Sequence, residues 1–184
     1  MSTDSPEIAD VAVKYGAEVP YLRPAELADD QKNIGAPLTH ALNWLRKHGQ
    51  KPDYVCLLLA TAPFVRPQTL HDAFSQLEKN PSKTFCFGVV KFAAPIQRAF
   101  KISKEGTIEM FQPECFETRS QDLEPAYHDA AQFSWGRAEG YLNKVPPFSE
   151  HSIPYILPSY DVQDIDTQDD WVRAEKLYRI REDA

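Results

Sequence analysis

Tyr54-Val55-Cys56-Leu57-Leu58-Leu59, followed by Ala60-Thr61-Ala62-Pro63, is the stretch on which the reading of the fold turns. A run this apolar and this short reads as a strand covered on both faces, the environment of a parallel sheet. Pro67 then opens a helix with Leu70, Ala73, Phe74 and Leu77 on one face, and Thr84 to Val90 forms a second apolar strand. This β-α-β alternation predicts a mainly parallel sheet covered by helices.

Upstream, Ser5 is placed to cap a helix with Pro6 at its first position, and Ile8, Val11, Ala12 and Tyr15 follow at helical spacing until Gly16. A second helix carries Leu38, Ala41, Leu42 and Leu45 and ends at Gly49. Glu18 to Leu22 reads as a short extended piece. Downstream the alternation breaks. Ile96 to Ile102 and Thr107 to Phe111 read as a hairpin turning at Glu105-Gly106, and residues 92–131 as an insertion that covers a site or builds a subunit interface. Ser152 to Leu157 is a late strand. Thr167 with Asp170 three residues on makes a capping box for a final helix through Trp171, Ala174, Leu177 and Tyr178.

The composition narrows the classes of function. The chain has 184 residues, 42% of them hydrophobic, enough for one domain with a sizeable core. Twenty basic against 27 acidic residues give a net charge of −7, which argues against general nucleic-acid binding. No apolar run approaches the ~20 residues of a membrane helix. Three cysteines without a C-x-x-C pair suit a reduced, cytoplasmic setting. No zinc spacing, G-x-S-x-G, Walker loop or G-x-G-x-x-G is present.

Four motifs carry chemistry. Asp164 and Asp166 are two apart, so in extended backbone both carboxylates lie on one side, as a Mg²⁺ ion bridging to phosphate requires. The other reading of this acidic run is that it favours the N-terminus of the following helix. Arg119 to Asp129 packs polar groups densely, either to clamp a carboxylate and fix hydroxyls or as a solvated loop. Pro95-Ile96-Gln97-Arg98 is a weaker signal of the same kind. Thr61 sits at the carboxyl end of a strand, where an α/β fold places its ligands, or serves as a turn residue.

Together these pieces resemble the acylneuraminate cytidylyltransferase family, in its branch acting on pseudaminic acid. The resemblance rests on Tyr15 to Pro20, Leu22-Arg23-Pro24-Ala25-Glu26-Leu27, Thr61 to Phe64, Pro95 to Ala99, Arg119 to Phe133 and Gln163 to Thr167 with Asp170-Trp171. His128-Asp129-Ala130-Ala131-Gln132-Phe133 is similar to the pseudaminic branch in particular. It implies a Rossmann-like, three-layer nucleotidyltransferase fold, working as a homodimer. It also implies CMP transfer from CTP to the anomeric hydroxyl of a nine-carbon sugar acid, with release of pyrophosphate.

By the same resemblance Asp164 and Asp166 hold Mg²⁺, and Arg23, Asp29 and Asp30 line the nucleotide site. Thr61, Gln97, Arg98, Arg119, Gln121 and Gln132 line the sugar-acid pocket, with Arg98 or Arg119 facing the sugar carboxylate on chemical grounds. The family's opening strand and its Leu-Ala-Arg-Gly-Gly-Ser-Lys type loop have no counterpart here, and Lys32-Asn33-Ile34 stands where Thr-Gly-Thr is usual. The expectation is therefore of a chain shortened at its N-terminus. The alternative is an inactive paralogue that binds sugar or dimerises.

Overall fold

The computed structural model describes residues 1–29 and 34–182. The Ser5 hydroxyl accepts the Ile8 amide at 3.2 Å and starts helix α1 (Pro6–Lys14), which ends before Gly16 at φ +88°. Helix α2 (Gly35–Lys47) follows, then strand β1 (Tyr54–Leu58), helix α3 (Pro67–Glu78) and strand β2 (Phe85–Lys91). A short hairpin of β3 (Phe100–Ile102) and β4 (Ile108–Met110) precedes the long strand β5 (Tyr127–Arg137) and the single-turn helix α4 (Ala138–Leu142). Strand β6 (Ser152–Ile156) and helix α5 (Gln168–Glu182) complete the chain. No helix among the described residues is long and apolar enough to cross a membrane.

The main sheet has the order β1-β5-β2-β6. Strands β1, β2 and β6 run in one direction, giving the mainly parallel α/β sheet expected, and β5 runs against them between β1 and β2. Sequence reading found the three parallel strands but left Gln132 to Trp135 unassigned. The reason lies in β5 itself: Ala131 takes φ +49°, and Gln132 and Phe133 are consecutively buried, so the strand shows no period of two. The stretch expected as an insertion, 92–131, holds the hairpin and the first residues of β5.

Two further expectations are corrected. Strand β1 lies at an edge of the described sheet, half-buried with Leu58 52% exposed, instead of being covered on both faces. Ile96–Arg98 is a 3-10 turn, not extended, because Arg98 and Ala99 donate backwards to Pro95 and Ile96. Glu18–Leu22, expected to be held off helix, is neither helix nor paired strand; it is joined to the N-terminus by the Met1 amine donating to the Glu18 carbonyl and, just beyond it, by the Arg23 amide donating to the Thr3 carbonyl.

Strand β2 is the core of the three layers. Its Cys86 and Val90 face Ala73 and Leu77 of α3, together with Ala130, Phe133 and Leu157. Phe85, Phe87 and Val89 point to the opposite side, against Tyr141 of α4 and Val145. Helix α2 lies beyond α4, tied to it by the Arg46–Glu139 ion pair. Gly88 makes room at the crossing, since a Cβ there would stand 2.9 Å from Leu157 and 3.3 Å from Phe133. The Trp135 indole N–H donates to the Leu70 carbonyl at 2.9 Å and fixes α3 on β5. Burial pushes the Cys56 and Cys86 thiols up to about 11, so both are inert packing groups.

Candidate active site

Three connections meet at the carboxyl ends of the parallel strands. Strand β1 leads into the Thr61-Ala62-Pro63 turn, closed by the Ala62 amide on the Leu59 carbonyl at 3.2 Å. Strand β5 enters at the same end, where the Leu59 amide donates to the Gln132 carbonyl at 3.1 Å. Strand β6 leaves there through Leu157, whose amide donates to Val89 at 2.8 Å, and leads to residues 162–167. Phe64, Arg66, Gln132, Tyr155 and Asp161 line a small cleft between them. Carboxyl-end loops of this kind are where open α/β sheets bind ligands.

The bulge in β5 shapes this cleft. The Asp129 carboxylate accepts the Ala131 amide at 2.9 Å, steadying a left-handed conformation that alanine otherwise avoids. Gln132 is thereby turned inward and is 1% exposed. Its amide donates to the carbonyls of Ala130, Ala131 and Gln163, while its Oε1 has no partner.

Asp164 and Asp166 follow Gln163 in the irregular segment before α5, which bends at Asp166 and Thr167. The capping box expected at Thr167 is present: the Thr167 amide and hydroxyl donate to Asp170 at 3.0 and 2.7 Å, and the Asp170 amide donates back at 3.2 Å. The Thr167 hydroxyl is the main cause that holds the Asp170 carboxyl below the usual aspartate range. Asp170 thus serves the helix end, and Asp164 does not. One Asp164 oxygen, Oδ1, is buried without a partner, which costs about 1–3 kcal/mol unless a ligand meets it. Among the described residues no three His, Cys, Asp or Glu side chains gather to hold a metal by themselves. Two carboxylates suffice where a nucleotide supplies phosphate oxygens, as Mg²⁺ prefers. The donor set fits that ion.

The second group of expected residues forms its own cluster at the root of the central segment, where the Phe92 amide donates to Ala126 at 3.0 Å. The Gln97 amide donates to the Glu124 carbonyl at 2.9 Å, and Arg98 donates to the Ser120 hydroxyl at 3.3 Å. Arg119 is largely exposed and pairs with Asp122 at 3.8 Å. The Gln121 amide, with its oxygen turned toward Arg119, accepts from the guanidinium. Arg23 pairs with Asp4 at 3.7 Å on the N-terminal segment. Asp29 is exposed, and Asp30 lies outside the described residues. The structure therefore joins Gln132 to the Asp164 segment and Gln97 and Arg98 to the Ser120–Glu124 segment; no contact among these links either cluster to Arg23.

Sequence reasoning missed Arg66, Tyr155 and Asp161. Asp161 receives Arg66 and Arg181, each at 3.3 Å, which pins the end of α5 beside the cleft. An ion pair between residues so far apart in the chain leaves no local sequence signal.

The sequence pattern of the family described as Cytidylyltransferase matches residues 1–157. A pseudaminic acid cytidylyltransferase of Campylobacter jejuni is 38% identical over 184 residues, covering all of this chain and 79% of that protein. A CMP-N,N'-diacetyllegionaminic acid synthase of Legionella pneumophila is 32% identical, again over all of this chain and 79% of the relative. Among solved structures, CMP:2-keto-3-deoxy-manno-octonic acid synthetase complexed with CTP superposes with a TM-score of 0.63 at 11% identity, over 98% of this chain and 80% of that one. This last likeness speaks to the fold.

Proposed function

Because this chain belongs to the cytidylyltransferase family, we propose that it transfers CMP from CTP to the anomeric hydroxyl of pseudaminic acid, releasing pyrophosphate. One structural observation carries the reading. Seven described residues each bury a polar side-chain atom that has no partner, and four of them, Arg23, Gln97, Gln132 and Asp164, are residues expected to bind substrate or metal. Buried polar atoms normally find partners, so their concentration at these positions points to a ligand. The full-length identity to a pseudaminic acid enzyme selects the sugar.

Asp164 and Asp166 hold the metal, which we assign as Mg²⁺. When bound, it offsets charge on the triphosphate. The chain's own residues orient the reactants, since phosphoryl and nucleotidyl transfer rest mainly on positioning and charge stabilisation. Gln132 offers Oε1 as an acceptor for a sugar hydroxyl, and Thr61 a hydroxyl from the facing turn. Gln97, Arg98, Arg119 and Gln121 approach from the central segment, while Arg23, Asp29 and Asp30 serve the nucleotide. A setting in the cytoplasm, with its CTP pool, agrees with the three free cysteines.

The test is pyrophosphate release from CTP with pseudaminic, N,N'-diacetyllegionaminic and N-acetylneuraminic acids compared side by side. We expect kcat/KM for pseudaminic acid to exceed the others by at least about tenfold, a difference of about 1.4 kcal/mol in transition-state binding. Equal or better use of either other sugar overturns the assignment of substrate. Arg119→Lys keeps the charge but loses the planar fork, so KM for the sugar acid is expected to rise about tenfold with KM for CTP unchanged. A parallel rise for both ligands would remove Arg119 from the sugar site.

The central segment also supports a homodimer. Phe100 and Met110 pair across the hairpin, as do Ile102 and Ile108, while Lys101 and Glu109 form an ion pair at 3.1 Å between them. Pairing of this kind places the apolar side chains on one face, and Phe100, Ile102 and Ile108 are 52%, 73% and 66% exposed. Such a patch marks an interface. Light scattering should give a dimer for the unmodified chain and a monomer for Ile102→Asp; a monomer in both removes this role.

A further inference from the structure

The side chain of Gln163 is 7% exposed, and sequence reading gave it no function. Its amide nitrogen donates to the Asp164 carbonyl at 2.7 Å and to the Asp170 carboxylate at 3.2 Å, which uses both of its hydrogens. The same carboxylate accepts the Asp166 amide at 3.4 Å and the Thr167 amide and hydroxyl. From the other side, Gln132 donates to the Gln163 carbonyl at 3.3 Å. The backbone is therefore held at Gln163, Asp164, Asp166 and Thr167, while none of these bonds uses the carboxylates of Asp164 and Asp166. We infer that Gln163 is a positioning residue for metal capture: with Asp170 it fixes the backbone so that both carboxylates are presented before a cation arrives. This rests on the reading of Asp164 and Asp166 as the metal ligands.

The physical case is one of preorganisation. A free, irregular segment of chain would have to order its carboxylates during binding, and that cost lowers affinity. A buried amide that spends both hydrogens on the backbone and carboxylate of the same loop removes that cost in advance. Outer partners of metal ligands typically change affinity by about 10–100-fold when lost. Gln132 extends the network to the cleft, so the sugar side and the metal side share one frame.

The test is capture of Mn²⁺ by the full chain with CTP present to supply the phosphate oxygens, followed as the water-proton relaxation enhancement of the chain–Mn²⁺–CTP complex over Mn²⁺–CTP alone, in the unmodified protein, Asp164→Asn, Gln163→Met and Gln163→Asn. Methionine matches glutamine in length and volume but has no N–H, and asparagine keeps the amide one methylene short of its partners. Both Gln163 variants are expected to bind Mn²⁺ about tenfold more weakly, and Asp164→Asn to bind it not at all. If Gln163→Met binds within about twofold of the unmodified chain, filling the space suffices and the proposal is overturned, whatever the change in melting temperature. Should that variant fail to fold, Gln163→Asn decides by the same criterion. Unchanged binding in Asp164→Asn would overturn the metal reading and this inference together. Loss there, with binding retained in the Gln163 variants, overturns this inference alone.

Discussion

Asp164→Asn and Asp166→Asn are each expected to lower CMP transfer at least about a hundredfold, a loss of about 3 kcal/mol of transition-state stabilisation. The argument is local. Both carboxylates stand outside the capping box, which Thr167 and Asp170 complete by themselves. Neither substitution therefore removes a helix cap, and asparagine is close in size to aspartate. The structural cost is small while one negative charge is lost from a two-carboxylate site. For Asp164 the case is stronger, since its Oδ1 is buried and unpartnered. The measurement is pyrophosphate release across a metal titration, with the urea midpoint of each variant as a control. Turnover within a few-fold of the unmodified chain for both variants would sink the assignment, and a collapsed urea midpoint would trace the loss to folding.

Phe85→Ala carries the largest expected effect on stability, about 3–5 kcal/mol, against a total of roughly 5–15 kcal/mol for a domain. Phe85 is 1% exposed and opens β2, the strand that joins β5 to β6. Its ring meets Tyr141 with centroids 4.9 Å apart and lies against Gly136, where even a Cβ would be 2.6 Å away. A cavity there separates α4 from the sheet, and relaxation is limited because Tyr141 is held by a hydrogen bond to the Ser134 carbonyl at 2.9 Å. Urea unfolding followed by circular dichroism would report it. A shift below about 1 kcal/mol would mean that the layer repacks around the gap.

Both predictions depend on features of different legibility. The cap of α1 at Ser5, the opening of α3 at Pro67 and the box at Thr167 and Asp170 were readable because each is settled within four residues, by a hydroxyl or a fixed φ acting on its own turn. The apolar strands β1 and β2 were readable from composition alone. Asp164 and Asp166 stood out by spacing, and the resemblance of Arg119 to Phe133 named a family that the comparisons bear out.

What tertiary structure alone decided is where β5 goes and what it carries. Its place between β1 and β2, its direction and its register are set by pairing with residues between 36 positions (Lys91 with Tyr127) and 83 positions (Tyr54 with Arg137) away, and no local propensity encodes a partner at that distance. The left-handed Ala131 and the buried Gln132 follow from that placement, because a bulge is defined only against the strand it faces. The same holds for Gln163, whose two donated hydrogen bonds have meaning only once the β6–α5 connection folds back on itself beside Gln132. Sequence determines an element when its causes are near neighbours; a buried polar network is decided by whichever segments the sheet brings together.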